Sequence, residues 1–548
     1  MRKRSMWVVA GCVAILGLSS QAKDAAPIPW LDLDVFRAHV ATLASDEFDG
    51  RKPGTVGEEK TVDYIRRQFA DAGLKPGHGT TFFQSVPMVE ITAAPDATLT
   101  FERSGTRQDL KYAQDMVVLT KRVVAQSSLD KSPLVFVGYG IVAPEYDWND
   151  YAAADIKGKT AVILINDPGF ATNDPKLFRG REMTYHGRWT YKFEEAARQG
   201  AAGALIIHET EPAAYGWQVV TASWTGPQFD LANSDTNSGL AIEGWISNEA
   251  AQALFKQAGQ DFAALKTAAT KRDFKAVPLG VQASVTVRNS IRRSNSSNVI
   301  GILPGSKRPD EYVIYTAHWD HFGHATNKPG DAIFNGAIDN ATGVAGIMTL
   351  ARAFAHASTP PERSIIFMAV TGEESGLLGS AYYAENPIYP LAHTAAEINL
   401  DALYAGGPAR DIVVVGSGNS DLEDYLRKAA KQQDRVVSPE PTPEKGYYYR
   451  SDHFNFAKKG VPALYTKLGT DDREHGSEYG KQQQEDYVAK RYHQPSDEYS
   501  KDLDFRGSFE DLELLYRVGE RVANEKDWPE WYRDSEFRAV REQSDRER

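Results

Sequence analysis

The sequence predicts an α/β fold with a mostly parallel central sheet flanked by helices. Two observations carry this prediction. From residue 296 onward, apolar runs such as "SNVIGIL" and "RSIIFMAVTGEE" alternate with helix-like segments such as "TGVAGIMTLARAFAH", and such alternation is typical of parallel sheets. The composition, with 42% hydrophobic and 25% charged residues in a chain of 548, is that of an ordinary globular protein. This length allows two domains or three.

The first 22 residues are predicted to be an export signal. "MRKRS" is a basic segment, "MWVVAGCVAILGL" is an apolar core too short to span a bilayer comfortably, and "SSQA" offers small residues for cleavage near Ala22. We therefore expect residues 1–22 to be removed and the protein to be periplasmic or secreted, with no stable membrane span in the mature chain. An uncleaved anchor is the alternative. "VAGC" resembles a lipidation signal at Cys12, but the apolar run before Cys12 is very short, which disfavours lipidation.

Residues 23–111 are predicted to begin the first domain. The segment from "LDLDVFRAHV" to "FADAGLKPG" is typical of two helices joined by a loop with Gly and Pro, and the second helix is expected to end at Gly73. Strand-like segments such as "TTFFQSVPMVEIT" and "ATLTFE" follow.

Residues 112–288 have a different pattern. "SPLVFVGYGIVAP" and "KTAVILIND" are short buried strands, and "KFEEAARQGAAGALIIH" is a helix, a glycine turn and another strand. Because this block has no dense cluster of His, Asp and Glu, we expect a separate, non-catalytic domain. Residues 289–531 are then the catalytic part of the first domain, and residues 532–548 a charged, frayed tail.

Side chains that can bind metals follow the predicted strands of residues 289–531. Ligands of parallel sheets bind beyond the carboxyl ends of the strands, so these side chains are expected to meet. Each one alone is typical of a helix cap or of the surface; together they predict one site. They are His318 and Asp320 in "TAHWDH", Asp339 in "NGAIDNATG", Glu373 and Glu374 in "TGEES", Asp401 in "INLDA", and His493 in "KRYHQPSDEY".

The composition limits the chemistry of this site. Cys12 is the single cysteine and lies in the predicted signal. A mature chain without a thiol has no disulfide scaffold, no cysteine nucleophile and no thiolate metal site. The net charge of −12 and the absence of a long basic run disfavour nucleic acid and anionic membrane surfaces as partners. A metal must therefore be held by His, Asp and Glu.

The adjacent Glu373 and Glu374 call for positive charge nearby, because neighbouring buried carboxylates repel each other. Two divalent cations about 3.5–4 Å apart, as in many hydrolases, would supply it. Two imidazoles, two terminal carboxylates and one bridging carboxylate would hold them, with Glu374 as a ligand. Glu373 would take a proton from the attacking water. Asp320 would accept the second ring N–H of His318 and fix its tautomer.

These motifs resemble the M28 family of co-catalytic zinc peptidases, which includes secreted bacterial aminopeptidases and glutamate carboxypeptidase II. The resemblance covers nearly the whole mature chain, because six motifs occur in the family's order: "LASDEFDGRKPGTVGEEK", "AHWDHFG", "GAIDNATG", "TGEESGLLGS", "INLDA" and "YHQPSDEY". The middle block, with "VFVGYGIVAPEYDWNDYAAADIKGK", is similar to a β-rich protease-associated (PA) domain inserted into the peptidase fold.

The resemblance implies a metal-binding role for five positions. His318 and Asp401 would bind one zinc ion, Glu374 and His493 would bind a second, and Asp339 would bridge the two. The peptide bond between Asp339 and Asn340 would be cis.

Further roles are implied for residues around the metals. Glu373 would be the general base and Tyr492 would stabilise the oxyanion. "YYYRSDHF" resembles a segment that lines the substrate cleft, so Arg450 would pair with a substrate carboxylate, and Asp452 or His453 would support the substrate-binding site. A structural loop with an Arg–Asp pair is an equal alternative. His321 and His324 are expected to be structural.

The resemblance therefore implies an exported exopeptidase with two Zn²⁺ ions that removes N-terminal residues from peptides. One alternative is a carboxypeptidase of the glutamate carboxypeptidase II type, which needs a basic pocket; Arg450 and other cations facing the metals would favour it. Others are a glutaminyl cyclase and a non-catalytic receptor, although all five ligand positions and Glu373 are retained. The absence of a G-x-S-x-G motif disfavours a serine hydrolase. The sequence leaves the preferred side chain, the native metal, the role of the PA domain and the oligomeric state open.

Overall fold

The structure, a computed structural model, describes residues 27–152, 154–232, 239–324, 331–546 and 548. The predicted signal peptide, residues 1–22, lies outside the described residues. The helices are Leu33–Leu43, Val56–Asp71, Pro168–Thr172, Trp189–Arg198, Thr210–Ala213, Trp217–Trp224, Asn248–Ala258, Phe262–Ala268, Thr342–Ala355, Leu378–Glu385, Leu422–Ala430, His453–Lys458, Ser477–Lys490, Arg506–Asn524 and Arg538–Ser544.

A first sheet is built mainly from the N-terminal and C-terminal regions. Its central strands are Arg363–Val370, Arg308–His318, Thr394–Asn399 and Ala463–Leu468, in that spatial order and all parallel. Antiparallel strands extend it on one side with Val277–Leu303, Phe83–Ala93 and Pro227–Leu231, and on the other with Asp411–Val414. Val436–Pro439 pairs with Asp411–Val414, and Lys75–Pro76 pairs with Val277–Leu303. The predicted α/β class is confirmed, and the parallel pairing is concentrated in the centre of the sheet.

Helices cover both faces of the first sheet, which explains why its central strands are apolar throughout. Along Arg363–Val370, Ile365 and Phe367 pack with helices such as Thr342–Ala355 and Arg506–Asn524. Ile366 and Met368 point to the opposite face and pack with Tyr383 and Phe456. Since neighbouring strand residues alternate between faces, every residue of this strand is buried.

A second sheet contains most of the predicted inserted block. Its strands, in spatial order, are Thr106–Lys111, Thr98–Arg103, the first half of Val277–Leu303, Gln126–Phe136, Thr160–Leu164, Gly203–Ile207, Ile242–Ile246 and Met116–Leu119. Residues 98–111 thus pair within this sheet, although the expected border lies at residue 111. Two-stranded pairs are formed by Val142–Ala143 with Trp148–Asn149, and by Gly323–His324 with Ile333–Phe334.

The two sheets share one long strand. Val277–Leu303 pairs through residues 277–288 with the second sheet and through residues 289–299 with Phe83–Ala93 in the first. The expected border between residues 288 and 289 therefore falls inside a continuous strand.

The C-terminal tail is packed against the body of the protein, so the expectation of a frayed segment is wrong. Trp531 and Phe537 are buried, and residues 538–544 form a helix. Arg541 donates from Nη2 to the carbonyl oxygen of Thr394 at 3.2 Å. The aromatic residues among the charges supply the apolar surface that holds the tail in place. None of the helices in the described part of the chain combines the length and the apolar character needed to cross a bilayer.

Candidate metal centre

The predicted site residues lie at the carboxyl edge of the first sheet. Three neighbouring parallel strands end there, and parallel strands place the residues that follow them side by side. These ends carry His318, the Glu373–Glu374 pair and Asp401. Asp339 comes from the turn that precedes the helix Thr342–Ala355, and His493 from the loop after Ser477–Lys490.

Asp339 lies between the two imidazoles. Its Oδ1 atom is 3.2 Å from Nε2 of His318, and its Oδ2 atom is 3.2 Å from Nε2 of His493. Asp401 Oδ1 is 3.4 Å from the first of these nitrogens, and Glu374 Oε2 is 3.3 Å from the second. The structure therefore brings all five predicted ligands together, with Asp339 shared by two groups of donors.

The donor set fits a cation. Three groups of donor atoms lie within 4.8 Å of one another, namely His318–Asp339–Asp401, His318–Glu373–Glu374 and His321–Asp339–Glu374. Imidazole nitrogen and carboxylate oxygen are ligands that zinc accepts. Burial, reinforced by repulsion from Asp339, raises the pKa of Glu374 well above its usual value. Burial and the charge of Glu374 likewise raise the pKa of Glu373. A cation would relieve this repulsion.

The turn that carries Asp339 is held by Asn340. The peptide bond between the two residues is cis, as the resemblance implies. The Asn340 Oδ1 atom accepts from the backbone N–H of Gly343 at 2.9 Å and of Ala402 at 3.0 Å, and its Nδ2 donates to the carbonyl oxygen of Leu400 at 3.0 Å. These bonds tie the turn to the end of the strand that leads to Asp401.

Asp497 supports the same turn from the opposite side. This carboxylate is fully buried and accepts through Oδ2 from the backbone N–H groups of Ile338 and Asp339, both at 3.1 Å. The Tyr487 hydroxyl donates to the same oxygen at 3.2 Å. The sequence analysis missed Asp497, although it stands four residues after His493 in the "YHQPSDEY" motif.

Asp320 contacts His318 through a different atom from the one expected. The Nδ1 atom of His318 is 3.2 Å from the carbonyl oxygen of Asp320 and 3.8 Å from its carboxylate. The carboxylate Oδ1 instead accepts the backbone N–H of Glu373 at 3.1 Å. The main chain bends at the strand end and presents the carbonyl to the ring, so Asp320 still orients His318 and also positions Glu373.

His321 lies at the site and His324 at its edge. The Nδ1 atom of His321 is 2.6 Å from Oε1 of Glu374, so the ring fixes the carboxylate that faces His493. His324 is half exposed, and its Nδ1 is 3.7 Å from Asp49.

The segment "YYYRSDHF" only partly matches its expected role. Asp452 and His453 have no exposed surface, so neither side chain is open to direct contact with a substrate, and the expectation that one of them supports the substrate-binding site stays a prediction. Asp452 accepts a hydrogen bond from Ser380 instead, because the first turn of the helix His453–Lys458 points both side chains into the protein. Arg450 is half buried and forms no ion pair with Asp452; its Nη2 donates to the carbonyl oxygen of Lys445 at 2.7 Å.

Tyr492 is accessible beside the ligand His493. Its ring stacks on that imidazole with 3.7 Å between the centroids, and 41% of its surface is exposed. The side chain is therefore accessible beside the ligand.

Two further contacts to Asp401 were missed. Ser451 Oγ donates to its Oδ2 atom, and Lys467 Nζ donates to its carbonyl oxygen. Lys467 stands near the end of the strand Ala463–Leu468, next to the strand that leads to Asp401. The same strand-end rule that found Asp401 could have found it.

Comparison with known proteins agrees with this geometry. Residues 298–512 match peptidase family M28, and this range contains all five clustered donors and Glu373. Residues 298–512 are thus similar to the peptidases of family M28.

Relatives match only short segments. "Aminopeptidase NAALADL1" of Rattus norvegicus is 36% identical over 161 residues, which are 28% of this chain and 20% of that protein. A protein of Pyrenophora teres f. teres (strain 0-1) named "Probable zinc metalloprotease" is 41% identical over 131 residues, 24% of each chain. "Glutamate carboxypeptidase 2 homolog" of Caenorhabditis elegans is 32% identical over 201 residues, 35% of this chain and 24% of that protein. The chain thus spans a fifth to a quarter of the length of these relatives.

Similarity to solved structures extends over a longer range. The chain superimposes on "Aminopeptidase from Aneurinibacillus sp. strain AM-1" with a TM-score of 0.48 and 20% identity, over 90% of this chain and 94% of that one.

Proposed function

We propose that this protein is an exopeptidase with two zinc ions that removes N-terminal residues from peptides. The observation that supports it most is the position of Asp339, whose two oxygens each lie 3.2 Å from a different imidazole nitrogen. A carboxylate shared in this way suits two neighbouring cations. His318 and Asp401 would hold one, Glu374 and His493 the other. When bound, zinc supplies Lewis acidity that polarises a carbonyl group and acidifies water.

Glu373 is the residue that moves the proton. Its carboxylate belongs to the donor group formed with His318 and Glu374, and Asp320 holds its backbone N–H. From this position it takes a proton from the attacking water and later gives it to the leaving amine. The exposed Tyr492 hydroxyl donates a hydrogen bond to the oxygen that becomes negative as the carbonyl is attacked.

The charge around the site supports recognition of a free amine. Glu373, Asp401 and Asp320 lie close together at the strand ends, and their negative field attracts a protonated N-terminus. The rat relative named as an aminopeptidase supports the same reaction.

A second candidate is a carboxypeptidase, and one pair of cations favours it. Arg188, from the second sheet's region, is 8% exposed, and its guanidinium forms no hydrogen bond or ion pair with any described residue. Burial and the charge of Arg450 lower the pKa of Arg188 to about 10, so the two guanidinium groups are neighbours. Tyr185 and Tyr449 pack together at the same boundary, with 6.1 Å between their ring centroids. A buried guanidinium without an ion pair, such as that of Arg188, favours an anionic ligand such as a carboxylate.

A peptide panel separates the two candidates. The zinc-loaded protein is offered one tripeptide in free, N-acetylated and C-amidated forms, and the released residue is identified. An aminopeptidase cleaves the free and amidated forms and releases the first residue. Cleavage of the free and acetylated forms but not of the amidated form, with release of the last residue, would contradict the proposal. Arg188→Gln should raise KM for the free form relative to the amidated form if the guanidinium binds the terminal carboxylate.

Export is part of the proposal. The basic and apolar segments of residues 1–22 support cleavage near Ala22 and release into the periplasm or the medium. N-terminal sequencing of the protein from its native host tests this; a protein that still begins at Met1 would contradict it.

A further inference from the structure

The motif "SDEFDGRKPGTVGEEK" has no role in the chemistry described above, yet its centre is buried against the metal centre. Arg51 is 1% exposed. Asp49, Gly50 and Arg51 have φ angles of 47°, 63° and 49°, in the left-handed region. This region is unfavourable for residues other than glycine and persists where the surroundings impose it. The backbone of Arg51 is therefore in an energetically unfavourable conformation, and contacts with the rest of the protein must hold it there.

The guanidinium of Arg51 joins the loops that carry the metal ligands. Its Nε donates to the carbonyl oxygen of Trp319 at 3.0 Å, and Trp319 directly follows His318. Nη1 donates to the carbonyl oxygen of Asn335 at 2.6 Å and Nη2 to that of Gly336 at 2.9 Å, three residues before Asp339.

Two more bonds complete this arrangement. Nη1 of Arg51 also donates to the carbonyl oxygen of Leu43 at 2.8 Å, at the end of the first helix. The backbone N–H of His321 donates to the Arg51 carbonyl oxygen at 3.3 Å. The planar fork of five N–H donors suits this set of fixed acceptors, whereas the single ammonium of a lysine does not.

Arg51 also brings positive charge to the acidic cluster without occupying a ligand oxygen. Within the described ranges it forms no ion pair, because all its bonds go to carbonyl groups. Burial lowers its pKa to about 10, while Asp339, Asp497 and other nearby carboxylates act in the opposite direction. The side chain is therefore charged at neutral pH.

We propose that Arg51 is a positioning residue of the metal centre, which fixes the loop after His318 relative to the loop before Asp339 and thereby sets how tightly the centre retains zinc. The inference rests on the metal centre of the proposed function. The geometry of the fork is essential to it, so a lysine, which keeps the charge and loses the fork, does not replace Arg51.

Arg363 is a matched control. It has no exposed surface and begins the strand whose far end leads to Glu373. Its guanidinium likewise donates to carbonyl oxygens, those of Glu525 at 2.7 Å and Lys526 at 3.1 Å among them. Arg363→Lys therefore removes a buried fork, together with the 2.6 Å contact of Nε with Glu311, from the opposite end of the sheet.

The experiment compares zinc retention in the wild type, Arg51→Lys and Arg363→Lys, each as the full chain loaded with zinc. Each protein is dialysed against a series of EDTA concentrations, its zinc is counted by mass spectrometry, and the Tm of the zinc-free form is recorded. Loss of a residue that orients metal ligands weakens metal affinity by about 10–100-fold. We expect Arg51→Lys to lose zinc at an EDTA concentration at least about tenfold lower than the wild type. Arg363→Lys should lower Tm but lose zinc at the same EDTA concentrations as the wild type.

Three results would overturn the inference. Arg51→Lys could retain zinc like the wild type, or both variants could lose zinc in proportion to their Tm; either result would leave the proposed function intact. A wild type that binds no zinc would overturn both proposals. If Arg51→Lys does not fold, Asp46→Ala serves instead: exposed Asp46 holds Asn335 through a 2.9 Å bond, so the variant should lose zinc more readily, and an unchanged zinc curve would overturn the inference.

Discussion

At the scale of single residues, two adjacent glutamates have different environments. Glu374 is held by His321 at 2.6 Å and faces His493 at 3.3 Å. Glu373 has its backbone fixed by Asp320, and its carboxylate is left for proton transfer. Both residues stand in the turn that follows the strand Arg363–Val370, so the division of roles follows from the different partners that the turn gives to each side chain.

Glu373→Gln should abolish turnover and leave zinc bound. The amide is nearly the same size as the carboxylate but cannot accept the proton, and loss of a general base lowers kcat by about 10²–10⁴-fold. Single-turnover assays with zinc counts on the same sample measure both. Loss of zinc together with activity would mean that Glu373 rather than Glu374 is a ligand.

Asp497→Asn should weaken both activity and zinc retention. An amide keeps one acceptor oxygen and replaces the other with an N–H₂ donor, which faces either the N–H groups of Ile338 and Asp339 or the guanidinium of Arg491. An unsatisfied buried polar group costs about 1–3 kcal/mol. Urea unfolding and zinc titration measure the change, with the exposed Asp502→Asn as control. Wild-type behaviour of Asp497→Asn would show that the turn holds its shape without this carboxylate.

At the scale of elements, the strand ends were predictable and the turns between them were not. His318, Glu373 and Asp401 follow apolar runs in sequence, so the rule for parallel sheets finds them. Asp497 and Arg51 act through main-chain atoms of residues far away in sequence, 158 residues in the case of the Asp497–Asp339 bond. No local sequence pattern predicts such a contact. The buried tail was missed because two aromatic residues, Trp531 and Phe537, outweigh the charges around them.

Gly343→Ala should disturb the start of the helix Thr342–Ala355. A Cβ atom there would lie 2.3 Å from Asn340 Oδ1 and 2.3 Å from the carbonyl oxygen of Leu400, so the Asn340 clamp must shift. Overpacking typically costs about 1–3 kcal/mol. The free energy of unfolding, measured with a chemical denaturant, and kcat should both be lower than in an exposed control such as Gln483→Ala. An unchanged kcat would show that the hydrogen bonds of the Asn340 side chain do not position Asp339.

At the scale of the whole molecule, the C-terminal tail contacts residues of both parts of the chain, Tyr449 on the side of the first sheet and Tyr185 on the side of the second. Glu536 accepts from the Tyr449 hydroxyl at 2.7 Å, and the backbone N–H of Tyr185 points to the same carboxylate. Phe537 packs on Trp531 with 5.0 Å between ring centroids. The tail therefore stabilises the boundary at which Arg188 and Arg450 lie, rather than the metal ligands themselves.

Phe537→Ala should destabilise the protein and leave its zinc content unchanged. Truncating a buried phenylalanine costs about 3–5 kcal/mol, and none of the five clustered donors contacts this ring. Thermal unfolding of zinc-loaded protein with metal analysis measures both effects. A fully stable variant would mean that the tail is dispensable.

The arrangement of cations around Asp339 is the central claim, and anomalous X-ray diffraction at the zinc edge of zinc-loaded crystals tests it most directly. The account predicts two peaks, one beside His318 and Asp401 and the other beside His493 and Glu374, with the Asp339 carboxylate between them. A single peak, or peaks away from Asp339, would contradict it.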